Sequence, residues 1–236
     1  MSLLTISQAV ADSVGLPRPG SVASSTDQLA RQMLALANET LEELCRMEWP
    51  VLEVPYSFQT VINQEAYTLP ADYGRQVSDS AYVATQYYLL RGSLTSADWQ
   101  RSKNALPSQI GRYKFRIFGN PLKLYITPKP MTVETVVMEY ITKNRAYNTG
   151  GNPILMYTAD TDTSIVPEDL VQRGLKWRIK HAKGLDYAED FNVYEMARQQ
   201  VFAQQLALGS MPVAMRNLID IPEIPNGFVP EFGYGS

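Results

Sequence analysis

Residues Thr40–Gln59, TLEELCRMEWPVLEVPYSFQ, carry the change of period on which the fold turns. Upstream of Pro50, Leu29, Met33, Leu36, Thr40, Leu41 and Leu44 form an apolar stripe at three- and four-residue spacing. That is one face of a helix, with Arg31, Asn38, Glu39, Glu42 and Glu43 on the other. Ser24, Ser25 and Thr26 offer its N-cap. The helix is expected to run to Trp49, because a residue before proline is pushed out of the helical region. Downstream of Pro50 the pattern becomes VLEVPYSFQTVI, aromatic and β-branched, which reads as a strand.

Outward from this junction the two characters persist. Toward the N-terminus a shorter helix is expected from about Leu4 to Val14, closed by Gly15 with Pro17 and Pro19 beyond. Toward the C-terminus, residues 51–157 hold eleven of the fourteen tyrosines. There AYTLP, QYYLLRG, RYKFRIFGN, KLYITP and VETVVMEYITKN read as short strands, and Phe118-Gly119-Asn120-Pro121 joins two alternating runs as a hairpin. One helical island is expected at about Ser96–Asn104. Residues 158–208 return to helix: Pro167 suits its first position, Glu168 and Asp169 the positive end of its dipole, Gly184 a stop, and Asp186–Glu189 the spacing of a capping box. Residues 209–236 contain eight glycines and prolines yet keep Met211, Val213, Met215, Leu218, Ile219, Ile221, Ile224, Phe228, Val229 and Phe232. A linker would be polar. An apolar, proline-rich segment of this kind is expected to be an extended arm that lies along a neighbour or along its own domain.

The expected fold class is therefore α+β. A discontinuous helical bundle comes from residues 1–50 and 158–208. An antiparallel β-sandwich or barrel, residues 51–157, is inserted between its halves, and residues 209–236 form an extended C-terminal arm. Sequential domains are the alternative, but either helical pair would be marginal alone.

Composition narrows the chemistry. The chain has 236 residues, a net charge of −3, one histidine (His181) and one cysteine (Cys45). A length of this order buries a core without disulfide or metal staples. A zinc site would have to be built almost wholly from carboxylates, and an intrachain disulfide is impossible. Neither a metal nor any other cofactor is expected. No basic n-region precedes the first helix, so no secretory signal is expected, and no apolar run reaches membrane-spanning length. A reducing cytoplasm is the expected place of synthesis and assembly.

The motifs that remain are weak as catalytic signatures. Asp160-Thr161-Asp162 opens like a calcium loop, but the sixth and twelfth positions are Ile165 and Val171, where glycine and glutamate are needed. A polar turn is the better reading. Glu42-Glu43 and Glu189-Asp190 are adjacent pairs, which do not converge on one helix face and read as solvated. Cys45 lies near the apolar stripe and reads as a structural thiol. His181 stands among cations, a poor setting for a general base. Arg173, Lys176, Lys180 and Lys183 fall at 3/4/3 spacing and share one side of a helix. They read either as a solvated face balanced by Asp186, Glu189, Asp190 and Glu195, or as contacts to an acidic partner surface or to passing DNA. Tyrosines in the strands read as core or interface. A sugar-stacking platform is the other possibility, although Tyr87 and Tyr88 must point to opposite faces.

Five stretches resemble one family. LLTISQAVADSVGLPRP (3–19) and SSTDQLARQMLALANETLEEL (24–44), followed by Trp49, resemble the start of the head-to-tail adaptor proteins of short-tailed phages, also called connector or tail tubular protein A-like proteins. LPADYGRQVSDSAYV (69–83) with FRIFGNPLKLYITPKP (115–130), and TADTDTSIVPEDLVQRGLKWRIKHAKGLDYAEDFNVYE (158–195), are similar to the same proteins. The likeness covers about residues 3–205. It implies a structural virion protein rather than an enzyme. Copies would assemble as a twelve-membered ring beneath the portal, extend the channel through which genomic DNA passes without sequence-specific binding, and offer a platform to the tail nozzle protein. The bundle is expected to touch portal and neighbours, and the β domain to face the tail. Candidate subunit or portal contacts are Arg173, Lys176, Lys180 and Lys183, with Met215, Ile221, Phe228 and Phe232 of the arm. A net charge of −3 repeated round a ring opposes adhesion to phosphate. Rival readings are a neck or tail-completion protein of another phage type, and a glycan-binding or glycan-cleaving tail component drawing on Asp72, Asp79, Asp98, Glu134 or Glu139.

Overall fold

A computed structural model describes residues 1–104 and 112–209. The helices are α1 (Leu3–Val14), α2 (Gln28–Leu44), α3 (Ser96–Lys103), α4 (Glu168–Ala182) and α5 (Ala188–Gly209). The strands are β1 (Glu53–Gln59), β2 (Ala66–Thr68), β3 (Tyr73–Gln76), β4 (Tyr82–Val83), β5 (Tyr88–Leu89), β6 (Lys114–Phe118), β7 (Lys123–Thr127), β8 (Thr135–Thr142), β9 (Ala146–Tyr147), β10 (Pro153–Ile154) and β11 (Thr163–Ser164). The fold is α+β, as the alternation of periods requires.

Helical residues from both ends of the chain build one core. Leu3, Ile6 and Val10 of α1, Met33, Leu41 and Leu44 of α2, and Leu170, Leu175 and Ile179 of α4 are buried together, with Tyr194 from α5. Helix α4 packs against α1, α2 and α5. A tight approach makes this possible. Gly174 of α4 faces α2 and α5, and a methyl group there would collide with Thr40 Cγ2 and come within 3.1 Å of the Tyr194 ring.

The turns that join these helices follow from local chemistry. Ser2 and Asp27 cap α1 and α2 by accepting from Thr5 and Ala30 backbone N–H groups. Gly15 and Gly184 stop α1 and α4 in the left-handed region, at φ +74° and +69°, which glycine enters without a Cβ penalty. The Asp160–Asp162 turn is a structural clamp. Asp160 accepts from the Val22 and Ala23 N–H groups at 2.8 Å and the Ser21 hydroxyl at 2.6 Å. Asp162 Oδ2 accepts from the Thr158 and Ala159 N–H groups at 2.7 Å, and the carbonyls of both aspartates take the first N–H groups of α1. Burial pushes the Asp160 carboxyl up, but its hydroxyl and amide donors outweigh that and hold it below the ordinary aspartate value.

Between the helical segments lies a second core made of Tyr67, Tyr73, Val83, Leu90, Phe115, Leu124, Ile126, Val136, Met138 and Tyr140. It is shared by two antiparallel sheets. In one, β8 pairs with β1, β3 and β4, and β4 with β5; in the other, β7 lies between β2 and β6. A third small sheet, β10-β9-β11, sits where the chain returns to helix. The arrangement is open, and the described strands form no closed barrel: short strands such as β4 and β5 end before they can bridge the sheets.

Three local expectations change. Helix α2 stops at Leu44, five residues before Trp49. The chain folds under itself there, so that the fully buried Trp49 donates its indole N–H to the Leu44 carbonyl at 2.6 Å and meets Phe202 edge-on at 5.2 Å. An orphan helix-end carbonyl and a buried indole satisfy one another, which outweighs another turn of helix. The QYYLLRG strand shrinks to Tyr88–Leu89, because Tyr87 turns the chain at φ +55°. Pro167 is the N-cap of α4, one residue before its first turn.

Candidate assembly surfaces

The basic side of α4 is largely neutralised within the chain. Arg173 Nε meets Asp169 Oδ2 at 2.8 Å, while Lys176 and Lys180 grip the two oxygens of Asp190 on α5 at 2.7 and 2.5 Å. Burial pushes the Asp190 carboxyl up, yet the two ammonium donors prevail and lower it below the ordinary value. The hydrogen bond to Asp190 correspondingly raises Lys180. Among the described residues only Lys183 of the four candidates makes no ion pair, and it is exposed. The stripe is real, but most of its charge clamps α4 to α5. Met215, Ile221, Phe228 and Phe232 lie outside the described residues.

A half-buried ionic knot escapes sequence reasoning. Glu43 of α2 accepts from Arg178 of α4, from the Tyr194 hydroxyl at 3.2 Å and from Arg198 of α5 at 3.2 Å. Arg178 is 6% exposed and also donates to Thr40 Oγ1 at 3.2 Å. Burial raises the Tyr194 phenol. Glu42 and Glu43 diverge as adjacent helical residues should, and Glu42 is the more exposed, 48% of its side chain against 30%. The overlooked signal was position: Glu43 follows Leu36 and Thr40 on the stripe itself.

The α4–α5 elbow presents aromatic rings to solvent. Trp177 lies 5.1 Å from Phe191 and 6.3 Å from Tyr187, and His181 lies 4.8 Å from Tyr187, centroid to centroid. Leu185, Tyr187 and Phe191 are exposed. The Trp177 indole N–H is buried beneath them without an acceptor.

A second apolar surface caps one end of the β core. Thr60 pairs with Glu134 and Thr132, and Asn63 with Pro130. These bonds bring the exposed Val61 and Ile62 beside the exposed Met131 and Val133. The β4–β5 turn joins them, because Ala84 and Thr85 bond Thr135 and Gln86 bonds Glu134 at 2.6 Å. Tyr87 rides on that turn, 82% exposed.

Two of the β-region carboxylates, Asp72 and Glu134, lie far apart. Asp72 accepts from Tyr140 and Thr142 at one end of β8, while Glu134 is buried just before the other end. At about 3.3 Å per residue that separates them by roughly 25 Å, several times the spacing a glycosidase pair uses. Tyr87 and Tyr88 point to opposite sides, one exposed and one buried, so neighbouring rings form no sugar platform there. Cys45 is half-buried, and burial pushes its thiol up to about 12 against the opposing pull of Arg145. It is a thiol, not a thiolate, at neutral pH.

Against known proteins, the family model described as SU10 adaptor protein matches residues 1–219. No curated protein matches the chain.

Proposed function

The chain belongs to the SU10 adaptor protein family, and on that premise we propose that it is a ring subunit joining the phage head to its tail. A phage adaptor is a structural component of the virion. In the reading proposed, copies form a ring, twelve in number by family resemblance, under the portal. The helical segments, 1–50 with 158–208, meet portal and neighbours. The β region, 51–157, meets the tail nozzle, and DNA passes through the channel.

One observation carries this reading: two exposed apolar surfaces stand on the two separate cores of the chain. An adaptor must hold one partner with each, and exposed apolar patches are the usual mark of such contacts. The aromatic elbow, rimmed by Lys183, suits the bundle's partner. The tip of Val61, Ile62, Tyr87, Met131 and Val133 suits the tail's. A net charge of −3 per copy, multiplied round a ring, keeps DNA sliding rather than adhering. Residues 209–236 are proposed to order on the portal or a neighbour during docking, a switch that costs affinity but delays assembly until a portal is present.

Co-sedimentation with purified portal tests this. The full chain is expected to co-sediment, and a chain ending at Leu208 is expected to stay folded but remain in the supernatant. Normal docking by the shortened chain refutes the role of the arm. Turnover of host envelope glycans, abolished by replacing one carboxylate, refutes the structural reading altogether.

A further inference from the structure

Two features of the described residues match each other. The first is a cavity of about 390 Å³ between the β2–β3 and β6–β7 turns. Leu69, Tyr73, Pro121 and Leu122 give it apolar walls, and Lys123 and Lys143 stand beside them. A mostly apolar hollow with a few polar groups is the usual form of a binding pocket. Among the described residues neither lysine makes an ion pair. The cavity lies at the end of the β core away from the apolar tip, since β8 starts beside the tip at Thr135 and ends at Thr142, next to Lys143. The second feature is the point of the α4–α5 elbow. Gly184 stops α4 at φ +69°, and the Leu185 N–H donates back to the Lys180 carbonyl at 2.9 Å. Leu185 is 44% exposed. Asp186 and Glu189 beside it are exposed, and among the described residues neither is ion-paired, because Lys176 and Lys180 are both taken by Asp190. The match is local: an exposed apolar side chain beside two unpaired carboxylates, and an apolar hollow beside two unpaired ammonium groups.

We propose that the elbow of one copy docks in this cavity on the next copy, with Leu185 entering the hollow and Asp186 and Glu189 meeting Lys123 and Lys143. This rests on the ring-subunit reading above and names the surfaces that join neighbours. The contact pairs two different surfaces of one chain. Such a heterologous contact repeats from copy to copy and makes a ring where the rotation closes, whereas a surface that pairs with itself stops at two copies. An apolar centre with a charged rim is the ordinary anatomy of an interface, and complementary charge fixes partner and register more than affinity. The contact is also small. One leucine and two ion pairs cover far less than the roughly 1,200 Å² of a stable interface. Free copies therefore stay apart, and the contact forms once a portal lines them up at high local concentration. The apolar tip, at the far end of β8, stays clear for the tail.

Charge reversal in the full chain, read by co-sedimentation with purified portal, tests this. Lys123→Glu with Lys143→Glu makes cavity and elbow both acidic. Asp186→Lys with Glu189→Lys makes both basic. Each protein by itself is expected to load portals poorly, with half-saturation at about tenfold higher concentration than the unaltered chain. Mixed in equal amounts, the two are expected to load as the unaltered chain does, because alternating copies set each acidic cavity against a basic elbow and each basic cavity against an acidic one. A chain carrying all four changes is expected to load normally by itself. Normal loading by each two-fold variant alone, or no gain on mixing them, overturns the proposal and leaves the ring reading standing. Failure of the unaltered chain to sediment with portal refutes the ring reading, and this contact with it.

Discussion

At the scale of single residues, two positions hold the helical core together by opposite means. Gly174 works by absence. Replacing it with alanine drives a methyl into Thr40 and Tyr194, and overpacking of this kind costs about 1–3 kcal/mol. Chemical denaturation of Gly174→Ala is expected to show that loss. Glu43 works by charge. It is the shared acceptor of Arg178, Tyr194 and Arg198, and removing it leaves the buried Arg178 only Glu39 at 3.9 Å, a loss of about 3 kcal/mol, the lower end for a buried pair. Glu43→Ala is expected to be the more damaging change. Glu43→Leu combined with Arg178→Met is expected to recover much of the loss in the same assay. Asp190 adds a pH dependence. Its carboxyl is held below its unfolded value by Lys176 and Lys180, so its stabilisation is present above the ordinary aspartate pKa and fades as pH falls through the lowered one. Asp190→Asn is expected to reduce stability at pH 7 and to flatten the acid limb of a stability–pH profile. Unchanged acid sensitivity would show that the clamp contributes little.

At the scale of elements, helices were more legible than their ends. The stripe from Leu29 to Leu44, the strand tyrosines and the Gly15 and Gly184 stops follow from local periodicity and backbone freedom, which a single chain displays. The end of α2 does not. It is decided by Trp49 reaching back to the Leu44 carbonyl and across to Phe202, partners more than 150 residues apart in the case of the second contact. For the same reason the basic stripe of α4 was visible, whereas its partner Asp190 was only one of several acids that could have balanced it. Glu43 was hidden by the rule that adjacent glutamates are solvated, which Glu42 follows more closely than Glu43. The elbow could be seen only once Trp177, Tyr187 and Phe191 were brought together by the α4–α5 turn. The β tip likewise depends on the pairing of Thr60 with Glu134. Replacing Val61, Ile62, Met131 and Val133 by serine at this tip is expected to leave thermal stability nearly unchanged, since these side chains are exposed. The same change is expected to weaken binding of purified nozzle protein, measured by surface plasmon resonance.

At the scale of the whole molecule, the role proposed is that of a scaffold whose specificity lies in surfaces. Its thiol is held protonated, and most of its lysine stripe is committed internally. Among the described residues, two exposed apolar surfaces stand out: an elbow on the helical core and a tip on the β core. A single protein with two such surfaces can bridge two others. The most direct test of that account is the mass by light scattering of the purified chain, alone and after mixing with purified portal rings. The account predicts the 26.5 kDa mass of one chain when alone, and a discrete complex holding several copies per portal ring when mixed. A mixture that gives only the separate masses of chain and portal would contradict it.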